Sequence, residues 1–191
     1  MMSEEIELID ISHSLPALEI DLKYAGADNI TGRAIYRQPR CLLHPEAARA
    51  LARSVEVAAM AGLTLILYDA YRPRLAQQYL WEACPDPRYV MDIKQGSHHS
   101  RGVAVDVALR DRDGGVLDMG SGFDEMIPRS HPFFPGLPVT AQRHRLLLNA
   151  IMAAGGFRGI SSEWWHFELP NAAGYPLLTD RFGCYPPGNA K

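Results

Sequence analysis

Residues 103–109 constrain the fold more than any other stretch of this sequence. Branched apolar residues alternate in it with two alanines and one aspartate: Val103, Ala104, Val105, Asp106, Val107, Ala108 and Leu109. Because successive side chains of a β-strand point to opposite faces, the alternation predicts a strand whose branched residues face a core. Asp106 then lies on the opposite face, where its alanine neighbours leave room beside the carboxylate for an ion. The stretch therefore predicts a buried sheet with a polar site on it.

A second stretch, nearer the C-terminus, repeats this pattern. Trp165, Phe167 and Leu169 alternate with His166 and Glu168. The alternation predicts another strand, with His166 projecting from the face opposite to the aromatic rings.

His99, Asp106 and His166 are the predicted metal ligands. Two imidazoles and one carboxylate form a nitrogen and oxygen set that suits Zn²⁺, and three protein ligands leave a fourth position for water. Glu163 falls on the turn that enters the second strand. It is the predicted general base, because a carboxylate near such a water can take its proton during attack on a carbonyl.

Each of these residues also has a simpler interpretation. A histidine on a mixed strand is more often a satisfied core residue than a ligand, and Glu163 could be a solvated turn residue. The metal hypothesis rests on a coincidence: the unusual polar residues all fall on the small-residue or loop side of apolar strands. Iron or manganese in place of zinc stays open.

A family resemblance adds to these residues. Ser97, His99, Gly102, Ala104 and Asp106, followed by the run Glu-Trp-Trp-His at 163–166, resemble the signature of the D-alanyl-D-alanine dipeptidases, zinc peptidases of the VanX type. The blocks 23–32, 68–73 and 119–124 resemble the same family, so the likeness runs from about residue 18 to residue 170. More distantly, the chain resembles the D-alanyl-D-alanine carboxypeptidases and the Hedgehog signalling domain.

The resemblance implies a fold and a reaction. The fold is a single α+β domain with a small, largely antiparallel sheet, surrounding helices and zinc in a cleft. The reaction is hydrolysis of D-alanyl-D-alanine to two D-alanines, which removes a cell-wall building block, either for resistance to glycopeptide antibiotics or for recovery of D-alanine.

The resemblance also implies roles for five further residues. Arg72 would stabilise the oxyanion of the tetrahedral intermediate, and its place before Pro73, at a strand-to-helix junction, favours an anion there. Tyr24, Tyr36 and Ser97 would contact the dipeptide. Asp124 would pair with the free amino group of the substrate and so exclude longer peptides.

Simpler interpretations of these five residues stay open as well. The tyrosines could be ordinary half-buried aromatics, and Arg72 a surface residue paired with Asp69. Ser97 could form a turn, and Asp124 could cap one. His98 is expected to be a surface residue or an outer neighbour of the metal ligands.

Two other functions remain as alternatives. A carboxypeptidase acting on peptidoglycan stem peptides would share the zinc chemistry, but it needs an open cleft and usually export. A catalytically silent zinc-binding interaction domain belongs to another class, and the presence of both Glu163 and Arg72 argues against it.

Length, composition and charge limit the number of domains and the classes of partner. The chain has 191 residues, 47% of them hydrophobic, which is enough for one core, so residues 1–191 are expected to form one domain with a core over about 18–170. The net charge is −3, and no dense basic run occurs, so nucleic acid is excluded. The acidic N-terminal residues precede no long apolar run, which predicts a cytoplasmic protein without a membrane partner. The cysteines are expected to be reduced, and a homodimer is left open.

The remaining pattern predicts the other elements. Short strands are expected at 6–11, 18–24, 63–68 and 116–119, and helices at 46–61, from Pro73 to about 83, and at 140–154. Thr140 is the expected cap of the last helix, and its basic run 143–145 is expected to form a solvated face. Residues 120–138 form a long loop of the kind that often covers a functional pocket.

Overall fold

Two sheets organise the chain. The computed structural model describes residues 4–188; residues 1–3, part of the predicted acidic N-terminal segment, and 189–191 lie outside it. The strands are, in chain order, β1 Ile9–Asp10, β2 Glu19–Ile20, β3 Leu42–Leu43, β4 Thr64–Asp69, β5 Ala104–Arg110, β6 Arg158–Gly159 and β7 His166–Glu168. The main sheet has the order β2-β4-β5-β7-β6, and β1 pairs with β3 in the smaller one. Only the β2–β4 pair is parallel among the described strands, so the sheet is largely antiparallel, as predicted.

Three α-helices surround the sheet: α1 Pro45–Met60, α2 Arg74–Ala83 and α3 Val139–Gly155. The His44 side chain caps α1 by accepting a hydrogen bond from the Glu46 backbone N–H at 3.1 Å. Helices α1 and α3 pack closely because the last residue of α3, Gly155, has no side chain. A Cβ there would lie 2.1 Å from Ser54 Oγ, so any larger residue would separate the two helices.

Strand β5 lies at the centre of the sheet, and both its faces are buried. Val103, Val105, Val107 and Leu109 belong to the main apolar core. Ala108, on the face of Asp106, is also part of that core, so the small-residue face is apolar beyond the aspartate. The strand therefore carries one buried carboxylate, and its neighbours along the strand are apolar.

The strand register places the polar residues side by side. Asp106 on β5 is paired with Asp69 on β4 and with His166 on β7. The β4–β5 ladder shifts register between Leu67 and Asp69, which is the irregularity that brings Asp69 opposite Asp106. Paired residues on neighbouring strands lie about 4.5–5.5 Å apart at their Cα atoms, so three functional side chains meet at this row.

A second apolar cluster packs around α2 and contains Tyr24, Tyr36, Tyr71, Leu80 and Phe182. Phe123 and Met126, from the loop 120–138, contact both clusters. The loop thus bridges the two parts of the core instead of lying free on the surface.

The structure changes several of the predicted elements. The expected strands 6–11 and 18–24 contain only two strand residues each, and Lys23–Ala25 is a short 3₁₀ helix. The expected strand 116–119 is wrong, since it is reduced to a single bridge between Val116 and Arg110. Thr140 is not the cap of α3; Pro138 occupies that position, and no side chain caps this end.

Arg145 corrects the prediction that the basic run of α3 is a solvated face. Its side chain is fully buried. The guanidinium donates to the backbone carbonyls of Met119, Arg129 and His131 at 2.6–2.8 Å. Arg145 therefore fastens the loop 120–138 to α3. Arg143, two residues earlier on α3, is exposed as predicted.

Residues 4–188 contain neither a membrane-spanning helix nor a disulfide. None of the helices within residues 4–188 is long and apolar enough to cross a membrane. Cys41 is buried, Cys84 and Cys184 are half-buried, and all three are free thiols.

We expect Arg145→Ala to lower the free energy of unfolding by about 3 kcal/mol, because three backbone carbonyls would lose the buried guanidinium that donates to them. The measurement is the shift of the urea unfolding midpoint. Arg143→Ala is the matched control on the exposed face and should change stability by no more than about 0.5 kcal/mol. Equal midpoints for the two variants would contradict the fastening role.

Candidate metal centre and active site

Three side chains bring donor atoms to one point. His99 Nε2 lies 3.1 Å from Asp106 Oδ1 and 3.2 Å from His166 Nδ1. His166 Nδ1 lies 3.4 Å from the same carboxylate oxygen. Asp106 and His166 meet through the β5–β7 register, and His99 arrives on the 3₁₀ helix His98–Arg101, which immediately precedes β5. The three donors could hold one metal ion.

The other ring nitrogens orient both histidines for this role. His99 Nδ1 is 2.8 Å from the carbonyl oxygen of Ala70, which can only accept, so Nδ1 carries the proton and leaves Nε2 free. His166 Nε2 is 2.8 Å from Glu168 Oε1, which leaves Nδ1 free in the same way. The second oxygen of Glu168 is 2.7 Å from His98 Nδ1. Both free lone pairs therefore point at the shared site.

The electrostatics of the three residues favour a cation. Burial lowers the pKa of His166, but its hydrogen bonds to Asp106 and Glu168 outweigh burial and raise that pKa to about 10. Burial alone would raise the pKa of Asp106, yet His99 and His166 hold it well below the ordinary value. The site therefore favours a bound positive charge. A metal ion can supply that charge in place of the proton of His166.

Arg72 lies beside this centre, at the junction of β4 and α2. Its Nε donates to Asp69 Oδ2 at 2.9 Å, its Nη1 to Gln77 Oε1 at 2.7 Å, and its Nη2 lies 3.4 Å from Asp106 Oδ2. The guanidinium carbon is 5.1 Å from the centre of the Tyr24 ring. A guanidinium has five N–H donors, so two of them have no protein partner within residues 4–188. Burial disfavours the charge, but Asp69 chiefly raises the pKa of Arg72 well above its ordinary value.

Asp124 forms a second anionic position. The Tyr24 hydroxyl lies 2.9 and 3.0 Å from its two oxygens, and the Ile30 backbone N–H donates to it at 3.0 Å. Its backbone is in the left-handed region, with φ at 64°, which is rare for a residue other than glycine. Burial raises the pKa of Asp124 to about 6, because the carboxylate is removed from water.

Glu163 lies three residues before β7 and is buried. Burial raises its pKa to about 8, although the nearby His166 opposes the change. A carboxyl group whose pKa lies near neutrality can both take up and release a proton at the working pH, which is what acid–base catalysis requires.

One cavity of about 250 Å³ joins these residues. It is lined by all but one of the predicted site residues: Tyr24, Arg72, Ser97, His99, Asp106, Asp124, Glu163 and His166. This volume is below the range of about 300–1,000 Å³ of pockets that hold drug-sized ligands. The cavity therefore suits a small molecule with charged groups.

Comparison with known proteins agrees with this arrangement. The family model described as D-ala-D-ala dipeptidase, of peptidase family M15, matches residues 4–187. The chain belongs to the D-ala-D-ala dipeptidase family. This confirms the family predicted from the motifs.

Three members of the dipeptidase family illustrate the similarity. The D-alanyl-D-alanine dipeptidase of Escherichia coli (strain K12) is 63% identical over 184 residues, which cover 96% of this chain and 95% of that protein. The D-alanyl-D-alanine dipeptidase of Enterococcus faecium is 36% identical, covering 78% of this chain and 84% of that protein. The protein of the same name from Enterococcus faecalis (strain ATCC 700802 / V583) is 33% identical, with coverage of 83% and 89%.

Tyr36 is the predicted residue that does not line the cavity of this dipeptidase-family chain. Its hydroxyl donates to Asp69 at 2.6 Å, and Asp69 in turn accepts from Arg72. Tyr36 is therefore connected to the site through the Asp69 carboxylate, which binds Arg72. Ser97 lines the cavity, and its Oγ accepts from the His99 backbone N–H at 3.1 Å.

Three further polar residues of the site were not among the predicted ones. Asp69 contacts Arg72, and Glu168 contacts His166 and His98, as the distances above show. The alternation of β7 carries a signal for Glu168, since it lies two residues after His166 and shares its face. Gln77 is a polar residue among the buried positions of α2, which is itself a signal.

We expect His166→Ala to weaken metal binding by more than about 100-fold, since losing only a hydrogen-bond partner of a ligand costs about 10–100-fold. Glu163→Gln should retain a stoichiometric amount of metal, because Glu163 is not one of the three converging donors. Elemental analysis of both proteins after chelation and reloading makes the comparison. Equal metal loss in the two variants would contradict the assignment of the donors.

Proposed function

We propose that this protein is a zinc-dependent dipeptidase that hydrolyses D-alanyl-D-alanine to two molecules of D-alanine. The observation that carries the proposal is the sharing of one small cavity by the metal-binding triad, Glu163, Arg72 and the buried carboxylate of Asp124. The activity in the name of the Escherichia coli relative, which covers 96% of this chain, supports it.

His99, Asp106 and His166 would hold the zinc. Tetrahedral zinc with bonds of about 2.0–2.1 Å requires donors about 3.3 Å apart. The three donor separations are 3.1, 3.2 and 3.4 Å, and the nitrogen and oxygen set suits this ion. When bound, zinc polarises the scissile carbonyl and lowers the pKa of water.

Glu163 is the proposed general base. Its carboxylate takes a proton from the attacking water, and the protonated carboxyl then passes that proton to the nitrogen of the departing D-alanine. The raised pKa of Glu163 supports both steps, because a carboxyl group with a pKa near the working pH can both accept a proton from water and donate it to the leaving nitrogen.

Arg72 is the proposed stabiliser of the oxyanion. Two of its N–H groups have no partner in the part of the chain that the structure describes, and the residue lines the cavity. Preorganised donors directed at a developing negative charge stabilise the transition state more than the ground state. Asp69, which itself accepts from the Tyr36 hydroxyl, binds the guanidinium on the side of its Nε.

Asp124 is the proposed anchor of the substrate ammonium. A dipeptide carries this charge close to the scissile bond, and the carboxylate offers it an ion pair within a buried pocket. A stem peptide has an uncharged amide at the same place, so Asp124 would be left without a partner. Tyr24 and Ser97 complete the proposed contacts, since the Ser97 hydroxyl can donate while accepting from the His99 backbone.

We propose that the whole chain works as one dipeptidase domain. Segments outside residues 18–170 contact the rest of the fold. The Ile11 backbone N–H donates to the Cys41 carbonyl at 2.9 Å, the Tyr71 hydroxyl donates to the Thr179 carbonyl at 2.8 Å, and Cys184 forms an isolated β-bridge with Tyr36. Action in the cytoplasm and a homodimer stay predictions.

The direct test is release of D-alanine from D-alanyl-D-alanine, with and without a chelator. We expect the metal-loaded enzyme to release it and the chelated protein to be inactive. Glu163→Gln should lower kcat by about 10²–10⁴-fold while keeping the metal. Equally fast cleavage of a stem pentapeptide would favour the carboxypeptidase, and a metal-loaded protein inactive on every D,D-dipeptide would favour the silent binding domain.

Asp124 should also set a pH dependence. Its carboxyl is charged above its pKa of about 6 and neutral below it, so the ammonium loses its partner as the pH falls through this value. We expect the KM for the dipeptide to rise by about tenfold for each pH unit below 6. In Asp124→Asn, the KM should be raised already at pH 7 and be nearly independent of pH. A wild-type KM that is constant from pH 7 to pH 5 would remove Asp124 from the binding site.

A further inference from the structure

We propose that Gln77 is a positioning residue that fixes the oxyanion donor Arg72 and joins it to a wall of the cavity; this inference rests on the proposed function. Gln77 lies on α2, is 3% exposed and lines the cavity. Its Oε1 accepts from Arg72 Nη1 at 2.7 Å, and its Nε2 donates to the backbone carbonyl of Met91 at 2.9 Å.

The two partners determine which way the amide of Gln77 faces. A guanidinium can only donate, and a backbone carbonyl can only accept. The oxygen of the amide must therefore face Arg72, and the nitrogen must face Met91. A carboxylate at this position would oppose the carbonyl of Met91 with a lone pair, and an apolar side chain would satisfy neither partner.

Gln77 completes the orientation of the guanidinium. Asp69 holds the Nε edge, and Gln77 holds the Nη1 end, so rotation about the terminal bonds of Arg72 is blocked at two separate points. The N–H groups that have no protein partner then keep a fixed direction, which is the condition for preorganised stabilisation of an oxyanion.

The neutrality of Gln77 also matters. Arg72 already faces two carboxylates, Asp69 and Asp106. A third negative group would offset more of the positive potential that Arg72 offers to the developing oxyanion. An amide orients the guanidinium without adding charge.

The second hydrogen bond of Gln77 extends this control to the cavity wall. Residues 87–91 line the cavity, and the hydrogen bond from Gln77 to the Met91 carbonyl attaches them to α2. The same wall is tied to the loop that follows Asp124, since the Tyr89 hydroxyl lies 3.1 Å from His131 Nε2. Gln77 therefore connects the oxyanion donor to the wall against which the substrate lies.

The test compares Gln77→Met, which is close in size but lacks both polar groups, with the matched control Gln78→Met. Gln78 is the next residue on α2; it is exposed and bonds Glu82 on the same helix. With zinc-loaded enzyme and D-alanyl-D-alanine, we expect Gln77→Met to lower kcat by about 10–100-fold, somewhat less than the loss of an oxyanion donor itself. KM should change by less than about threefold, and the control should match the wild type within about twofold.

A phosphinate analogue of the dipeptide separates positioning from a merely structural role. It resembles the tetrahedral transition state, so its inhibition constant should rise in Gln77→Met in proportion to the fall in kcat/KM. A structural role would lower the melting temperature and the folded fraction but leave kcat per metal-loaded, folded molecule unchanged. If Gln77→Met does not fold, Gln77→Glu serves instead, and the added carboxylate should lower kcat to a similar extent.

The outcomes distinguish this inference from the function on which it rests. An active wild type together with equal kcat values for Gln77→Met and Gln78→Met would overturn the role of Gln77 and leave the dipeptidase function standing. A metal-loaded wild type that is inactive on the dipeptide would overturn the proposed function and, with it, the inference.

Discussion

The carboxylate of Asp106 is the interaction on which the site depends. Its Oδ1 faces both histidines, and its Oδ2 faces Arg72. The same side chain therefore belongs to the candidate metal centre and to the surroundings of Arg72, the proposed stabiliser of the oxyanion. It can do both only because β5 lies between β4 and β7 in the register that pairs Asp106 with Asp69 and His166. A slip of one residue in β5 would turn the carboxylate to the opposite face of the sheet, and its contacts with the two histidines and with Arg72 would be lost.

The cavity concentrates negative charge, and this has a cost for folding. Five carboxylates lie in or beside it: Asp69, Asp106, Asp124, Glu163 and Glu168. Arg72 is the buried arginine that faces them. Burial raises the pKa values of Asp69, Asp124 and Glu163, which shows that the fold disfavours their ionised forms. A divalent cation bound by the native state would offset part of this repulsion, so metal binding should stabilise the fold as well as complete the site.

Much of this site could be predicted because its residues interrupt regular patterns. Asp106 and His166 each stand on the polar face of an apolar alternation, and a period of two places them without any knowledge of the partner strands. The alternation does not predict the position of Asp69 at the end of β4. Asp69 lies opposite Asp106 because of the register shift beside it, which the period of two does not contain.

Arg145 shows why other parts could not be predicted. Its neighbours in the sequence, Arg143 and His144, are polar, so the run resembles a solvated face. Its partners are backbone carbonyls of a distant loop, and a carbonyl is present at every residue whatever the sequence. The expected cap at Thr140 is also wrong, because the helix begins at Val139, directly after Pro138, so the threonine already lies inside it.

The left-handed backbone of Asp124 has a consequence for the evolution of this enzyme. Asparagine tolerates that conformation better than most residues, has the same shape and carries no charge to bury. Selection for thermal stability alone should therefore drift from aspartate to asparagine at this position, whereas selection for turnover should restore the acid. Libraries screened only for stability would therefore be expected to lose the proposed ion pair with the substrate's free amino group first.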